Sequence, residues 1–276
     1  METVKDLESR HEVPGPVLCA LFGASNLTLA LPSAIDHLLL RLGPRPLRFF
    51  VAHGIGRSYG IEAGILGVQL PGIVQCGLLD ALEVAKKADQ TSSVLALVTD
   101  IGNDIMYGVS VDVLKGWVAG IIHRLSQLDS TIVVTSIPLQ GILSLPSWQF
   151  HLFRRLFFPR RAVPQKTVAS RAAAIQDGLE ALTGTPGTIL LPSQREWYSF
   201  DGVHLSMRTS RRTIGTWLDT AVQARFGDLN ISLSRREVSK WSLYTNRPAE
   251  FRFFGRRFRH KDGVVSIADN AVLHLY

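Results

Sequence analysis

The chain has 276 residues, 46% of them hydrophobic, which suits one large α/β domain with a full core. Its net charge of +7 is gathered in two places. Arg154, Arg155, Arg160 and Arg161 give +4, and nine Lys/Arg against five Asp/Glu between Phe226 and Tyr276 give another +4, leaving the body near neutral at −1. That balance excludes a general nucleic-acid binder, whose basic face would involve the core elements. Two cysteines in apolar context, Cys19 and Cys76, exclude a disulfide framework and a thiolate metal cluster.

The opening METVKDLESRHEV is charged and does not read as a secretory signal. No run approaches the ~18 apolar residues of a membrane span, so a cytoplasmic location is expected. Val17–Phe22 (VLCALF) reads as a buried strand running into a sharp Gly-Ala-Ser-Asn turn, with a helix from about Leu27 to Leu42. Leu47–Ala52 is a second strand, feeding the glycine loop His53-Gly54-Ile55-Gly56-Arg57-Ser58. Ser58 is the expected N-cap of a helix toward Leu70. A helix over Leu78–Ala88 follows, then a third strand, Val94–Val98, ending in Thr99-Asp100-Ile101-Gly102-Asn103-Asp104.

Val111–Leu128 reads as an amphipathic helix and Thr131–Ile137 as a fourth strand stopped by Pro138. A long connection, Leu139–Pro164, leads to a helix over Thr167–Leu182 and a short fifth strand, Thr188–Leu191. The loop WYSFDGVHLS then enters a helix from about Met207 to Phe226. Strands that are continuous apolar runs, alternating five times with helices, predict a parallel sheet covered on both faces. Beyond Phe226 the rhythm breaks into alternating pieces, Glu250–Phe254, Val264–Ile267 and Val272–Tyr276, with the turn Lys261-Asp262-Gly263. The expected organisation is an arm over 1–16, an α/β domain over 17–226 and a small basic β appendage over 227–276.

In an open α/β sheet, ligands bind at the carboxyl ends of the strands. The polar residues falling there are Ser25 after the first strand, the Gly54/Gly56 loop after the second, Asn103 after the third, and Asp201-Gly202-Val203-His204 after the fifth. These are the parts of an acyl-transfer site. A serine hydroxyl needs a base, which His204 would supply, and a carboxylate such as Asp201 would fix the imidazole tautomer. A tetrahedral oxyanion would find donors in the Ser25 and glycine N–H groups and the Asn103 amide. Gly54, Gly56 and Gly60 compete for the glycine role. Each block alone is ordinary turn or cap chemistry; their shared edge is what draws attention.

With those residues in view, the chain resembles the SGNH hydrolases, the GDSL-type esterases and lipases. The four blocks fall on Phe22-Gly23-Ala24-Ser25, Gly56, Asn103-Asp104 and Asp201-Gly202-Val203-His204. The resemblance implies a flavodoxin-like three-layer α/β/α sandwich whose five-stranded parallel sheet has the order 2-1-3-4-5. It implies Ser25 as nucleophile, His204 as base, Asp201 as its orienting carboxylate, and Ser25, Gly56 and Asn103 as the oxyanion hole. It also implies hydrolysis of a carboxylic ester, as esterase or deacetylase, through an acyl-serine intermediate without metal or organic cofactor. The chain departs from the family where the usual Gly-Asp-Ser reads Gly23-Ala24-Ser25 and where Ile101 replaces the first glycine of Gly-x-Asn-Asp.

An acyltransferase would use the same triad, and a non-catalytic binding module would keep the fold without needing it. A dinucleotide-binding protein is disfavoured, because Gly-x-Gly-x-x-Gly is absent after the first strand and no acidic residue ends the second. The expected substrate is a small-molecule, glycan or lipid ester, with no nucleic-acid partner. Trp148–Arg161 (WQFHLFRRLFFPRR) carries too many apolar residues for a surface loop. It reads either as a lid or acyl-binding wall over Ser25 or as a packed helix with solvated arginines. A membrane surface or a second subunit are its candidate partners. Phe251–Lys261 interleaves aromatic and basic residues, which fits strand alternation or oligomerisation better than a nucleic-acid platform. His53 and Arg57 flank the glycine loop, as anion contacts or as ordinary structural residues.

Overall fold

The computed structural model describes residues 15–65, 67–158, 163–229, 248–259 and 263–276. Arg160, Arg161, His260, Lys261, Asp262 and most of the expected amino-terminal arm lie outside the described residues. Five strands follow one another through the body: β1 (Val17–Phe22), β2 (Leu47–Ala52), β4 (Ser93–Val98), β5 (Ser130–Thr135) and β6 (Thr188–Leu191). They are parallel and lie in the order β2-β1-β4-β5-β6, which is the 2-1-3-4-5 order with the body strands counted alone.

Alternate residues of β1 enter two different cores. Val17, Cys19 and Leu21 pack with α1 (Ser25–Leu42) and α8 (Ser210–Phe226), through Leu31, Ile35, Trp217 and Leu218. Leu18, Ala20 and Phe22 pack with α2 (Leu78–Ala88), α4 (Val111–Ser126) and α7 (Gln165–Ala181), through Leu82, Val118 and Ile175. A strand with period-two side chains and apolar residues on both faces has to be covered twice. The result is the three-layer α/β/α sandwich.

The tail adds to this sheet. After β7 (Glu250–Phe253) and β8 (Arg256–Arg259) come β9 (Val264–Ala268) and β10 (Ala271–Leu275). β10 lies parallel to β2 and β9 antiparallel to β10, so among the described residues the sheet has seven strands rather than five. The reason is burial: β2 is apolar at nearly every position, and β10 covers its open edge with Ala271, Leu273 and Leu275, each at most 1% exposed. The antiparallel tail strands β7 and β8 build a separate three-stranded sheet with β3 (Val68–Gln69).

The helix expected from Ser58 to Leu70 does not form. Ser58 Oγ accepts from the N–H groups of Gly60 and Ile61, as an N-cap would, but Ala63 then bridges to Leu70 and the chain turns into β3. Gly60, Gly64 and Gly67 weaken a helix here, while β7 offers β3 a pairing partner nearly two hundred residues away, invisible locally. The connection after β5 holds two helices, α5 (Leu139–Ser144) and α6 (Ser147–Phe157), and a four-residue helix, α3 (Asn103–Met106), follows β4.

Candidate active site

Ser25 is the first residue of α1, three residues beyond the end of β1, so its side chain sits at the strand's carboxyl end and the helix's amino end. Ala24, the N-cap position, has no side chain to cap the helix. A distant carboxylate does that work. Asp100, just past β4, accepts hydrogen bonds from the N–H of Ala24 at 2.7 Å, the N–H of Leu27 at 3.2 Å and the Asn26 Nδ2 at 2.8 Å. Its φ of +63° aims the side chain back at the turn, a conformation aspartate tolerates better than most residues. Burial pushes the Asp100 carboxyl above the usual carboxylate range, against those three hydrogen bonds.

Asn26 carries the connection further. Its Nδ2 also donates to the Val203 carbonyl at 3.1 Å, and its Oδ1 accepts from the Leu205 N–H at 2.7 Å. The residues before and after His204 are thus tied to the residue after Ser25.

His204 lies in the loop before α8. Its Nδ1 is 2.6 Å from Asp201 Oδ2. Asp201 Oδ1 accepts from Ser199 Oγ and from the N–H groups of Val203 and His204. Burial alone would raise the Asp201 carboxyl, but the His204 hydrogen bonds and charge hold it down at about 2. For His204 burial opposes the charged form, yet the hydrogen bond from Nδ1 to Asp201 and the charges of Asp201 and Asp100 win, and its pKa is raised. Between the two, Gly202 has φ of +76°, and a Cβ there would lie 2.6 Å from the Gly141 carbonyl oxygen of α5. The loop and α5 meet backbone to backbone, which only glycine permits.

The glycine loop presents Gly56, at φ of +72°, with its carbonyl accepting from Tyr107 Oη at 2.5 Å. Asn103 Nδ2 donates to the Arg57 carbonyl at 3.2 Å. The next residue, Asp104, is fully buried and receives Ser58 Oγ and the Tyr59 N–H, clamping the loop from below. Ser25, Gly56, Asn103, Asp201 and His204 all line one cavity of about 180 Å³. Gly54 and Gly60 do not; they pack against Leu70 and Trp117. Ser25 and His204 share this cavity with no hydrogen bond between them among the described residues.

Around these polar residues the wall is apolar. Ile55, Ile101, Ile105 and Ile137 line one side, and α6 contributes Phe150, Phe153 and Phe157, with Phe158 following. The Phe157 ring stands 6.4 Å from that of His204. The helical segment after β5 is therefore a wall of the cavity. Among the described residues, no group of three or more His, Cys, Asp or Glu could hold a metal ion.

His53 and Arg57 do not line the cavity. Arg57 is fully buried and donates to the carbonyls of Pro71, His53 and Tyr276. Burial and the Arg57 charge lower the His53 pKa to about 4, and its Nδ1 meets Thr28 Oγ1 at 3.1 Å. They are parts of the loop's foundation. Sequence reasoning passed over Asp100, Asn26 and Tyr107. For Asp100 a signal was present: an acidic residue ends a buried strand in a chain whose serine turn lacks the family's aspartate.

No protein-family model matches the chain, and no curated protein does. Among solved structures it is similar to a psychrotrophic esterase, EstA, from Pseudoalteromonas sp., at 10% identity and TM-score 0.44, covering 76% of this chain and 99% of that one. It is also similar to TesA (13%, TM-score 0.43, 75% and 98%) and to a family 3 carbohydrate esterase of Clostridium thermocellum (11%, TM-score 0.41, 76% and 96%). The architecture is a three-layer α/β/α sandwich with the strand order expected for a flavodoxin-like sheet, and the four sequence blocks meet in one cavity. Among the described residues no helix is long and apolar enough to cross a membrane.

Proposed function

We propose that the chain is a serine hydrolase that cleaves carboxylic esters with an apolar acyl group. One observation carries the reading: a carboxylate–imidazole pair at 2.6 Å stands on the wall of the same cavity as a serine at a helix amino terminus. In this reading His204 Nε2 takes the Ser25 hydroxyl proton as Oγ attacks the acyl carbon. The Asp201 carboxylate holds the Nδ1 proton and stabilises the imidazolium. The oxyanion is met by the N–H groups of Ser25 and Gly56 and by the Asn103 amide. Collapse expels the alcohol, which takes the proton from His204, and leaves acyl-Ser25. Water then attacks that ester by the same route, with His204 as base, and the acid is released.

The apolar wall made by Phe150, Phe153, Phe157 and the isoleucines supports an acyl arm of hydrocarbon character, since each buried methylene contributes about 0.8 kcal/mol. The test is labelling with a fluorophosphonate, which phosphonylates a serine only when base and oxyanion donors activate it. Wild type should label and Ser25→Ala should not. Folded wild type that fails to label would overturn the reading and favour a binding module. Labelling that persists in Ser25→Ala would move the nucleophile elsewhere.

A further inference from the structure

The helix that walls the cavity is apolar on both of its sides. Phe150, Phe153 and Phe157 face inward. Trp148, Leu152 and Leu156, spaced four apart, form a second stripe on the opposite side and are 67%, 55% and 66% exposed. Phe200, 75% exposed, stands by the inward row instead, its ring 6.0 Å from that of Phe153. An exposed apolar stripe of this kind marks an interaction surface.

Charge decides what covers it. From Ser130 to Gln176 the sequence has no Asp or Glu, while it has Arg154, Arg155, Arg160, Arg161, Lys166 and Arg171. Arg155 is exposed beside the stripe. A second copy meeting this face through a two-fold axis would set cations against cations. An anionic phospholipid surface meets both features at once, with its acyl boundary for Trp148, Leu152 and Leu156 and its headgroup charge for Arg155.

We infer that the outward face of α6 docks the protein on an anionic lipid surface, bringing the cavity mouth to where apolar esters are concentrated. The inference builds on the acyl-cavity reading, but its test does not depend on turnover. Full-length Ser25→Ala protein, which leaves lipid intact, is floated with vesicles of phosphatidylcholine alone and of phosphatidylcholine with phosphatidylglycerol. The comparison variant adds Trp148→Ser, Leu152→Ser and Leu156→Ser. Binding should require phosphatidylglycerol, weaken in high salt, and fall at least about tenfold in the variant. The triple variant should keep the parent's circular dichroism spectrum and a single cooperative thermal transition, showing that it folds. Arg155→Glu, which leaves the apolar stripe intact, should by itself lower binding to the anionic vesicles several-fold.

No flotation of the parent with anionic vesicles would overturn the inference. So would flotation that both the triple variant and Arg155→Glu leave unchanged, or equal flotation on neutral vesicles. A dimer seen in sedimentation and dissolved by the triple variant would replace the lipid with a second copy. Fluorophosphonate labelling stands apart from all these outcomes, so a failed docking surface leaves the hydrolase reading to its own test.

Discussion

Asp100→Asn tests whether a carboxylate 76 residues away sets the serine turn. The variant side chain keeps its shape but exchanges one acceptor oxygen for an N–H₂. If its oxygen stays toward Ala24 and Leu27, its amide meets Asn26 Nδ2, donor against donor. Asn26 cannot turn over to relieve this, because its Oδ1 is held by the Leu205 N–H. A lost hydrogen bond to a charged group with an unsatisfied donor left behind costs about 1.5–3 kcal/mol. Removing a half-buried charge offsets part of it, leaving a net loss of about 2 kcal/mol and a Tm lower by about 4–8 °C. Ser25 stands between two residues that Asp100 holds, so kcat should fall about 10–100-fold with little change in KM. The Asp100 charge also helps to raise the His204 pKa, so the acid limb of kcat/KM should move to lower pH. Thermal unfolding and a pH profile on a chromogenic ester give all three readings. A lower Tm with unchanged kcat and an unmoved acid limb would refute the reasoning and reduce Asp100 to a structural cap.

In wild type, His204 must be neutral to act as base, and its pKa is raised, so kcat/KM should fall with decreasing pH through a midpoint above the ordinary 6.5. Asp201, lowered from 3.8 to about 2, stabilises the fold above pH 3.8 and loses that contribution as pH falls, whereas His204 contributes below pH 6.5 and loses it as pH rises through its folded value. Asp201→Asn should therefore cost most Tm between pH 3.8 and 6.5 and less at pH 8; a flat difference would contradict the pair. Gly56→Ala would place a Cβ 2.8 Å from Ile65 Cγ2 at a positive φ, so a loss of about 1–2 kcal/mol in urea unfolding is expected, with kcat down on the order of 10²-fold. Phe157→Ala opens the acyl wall and should cut the preference for a medium-chain over an acetyl ester about tenfold, read from kcat/KM ratios. Arg57→Met leaves three carbonyls without their donor and should cost about 3–5 kcal/mol in urea unfolding.

Much of the body was legible because its signals are local. β1, β2, α2 and β6 have the bounds that their apolar runs and helical spacing indicate. Gly43 and Pro138 also stand just beyond elements, after α1 and β5. The candidate blocks could be picked out because each follows such a strand in the chain. The segment after Gly56 misled, since a serine before a mixed sequence reads as an N-cap. Ser58 does receive the N–H groups of a cap, but its hydroxyl proton goes to Asp104 and its backbone goes on into a sheet.

What stayed hidden is held by pairs far apart in the chain. Asn26 and Leu205 are 179 residues apart, and Arg57 and Tyr276 are 219. No periodicity reports such a bond, because hydropathy records which face is buried and says nothing of which polar groups meet there. The last strand shows the consequence. β10 looks like the edge of an independent appendage, because alternation is all its five residues display. In place, it completes β2, stacks His274 on Phe50 at 4.9 Å, and brings the Tyr276 carbonyl to the guanidinium that also braces His53 and Pro71. The Arg57 carbonyl in turn receives Asn103. A chain of hydrogen bonds thus runs from the tail through one buried arginine to the proposed oxyanion donors. The tail is part of the site's foundation, which is a stronger reason for its presence than any surface it displays.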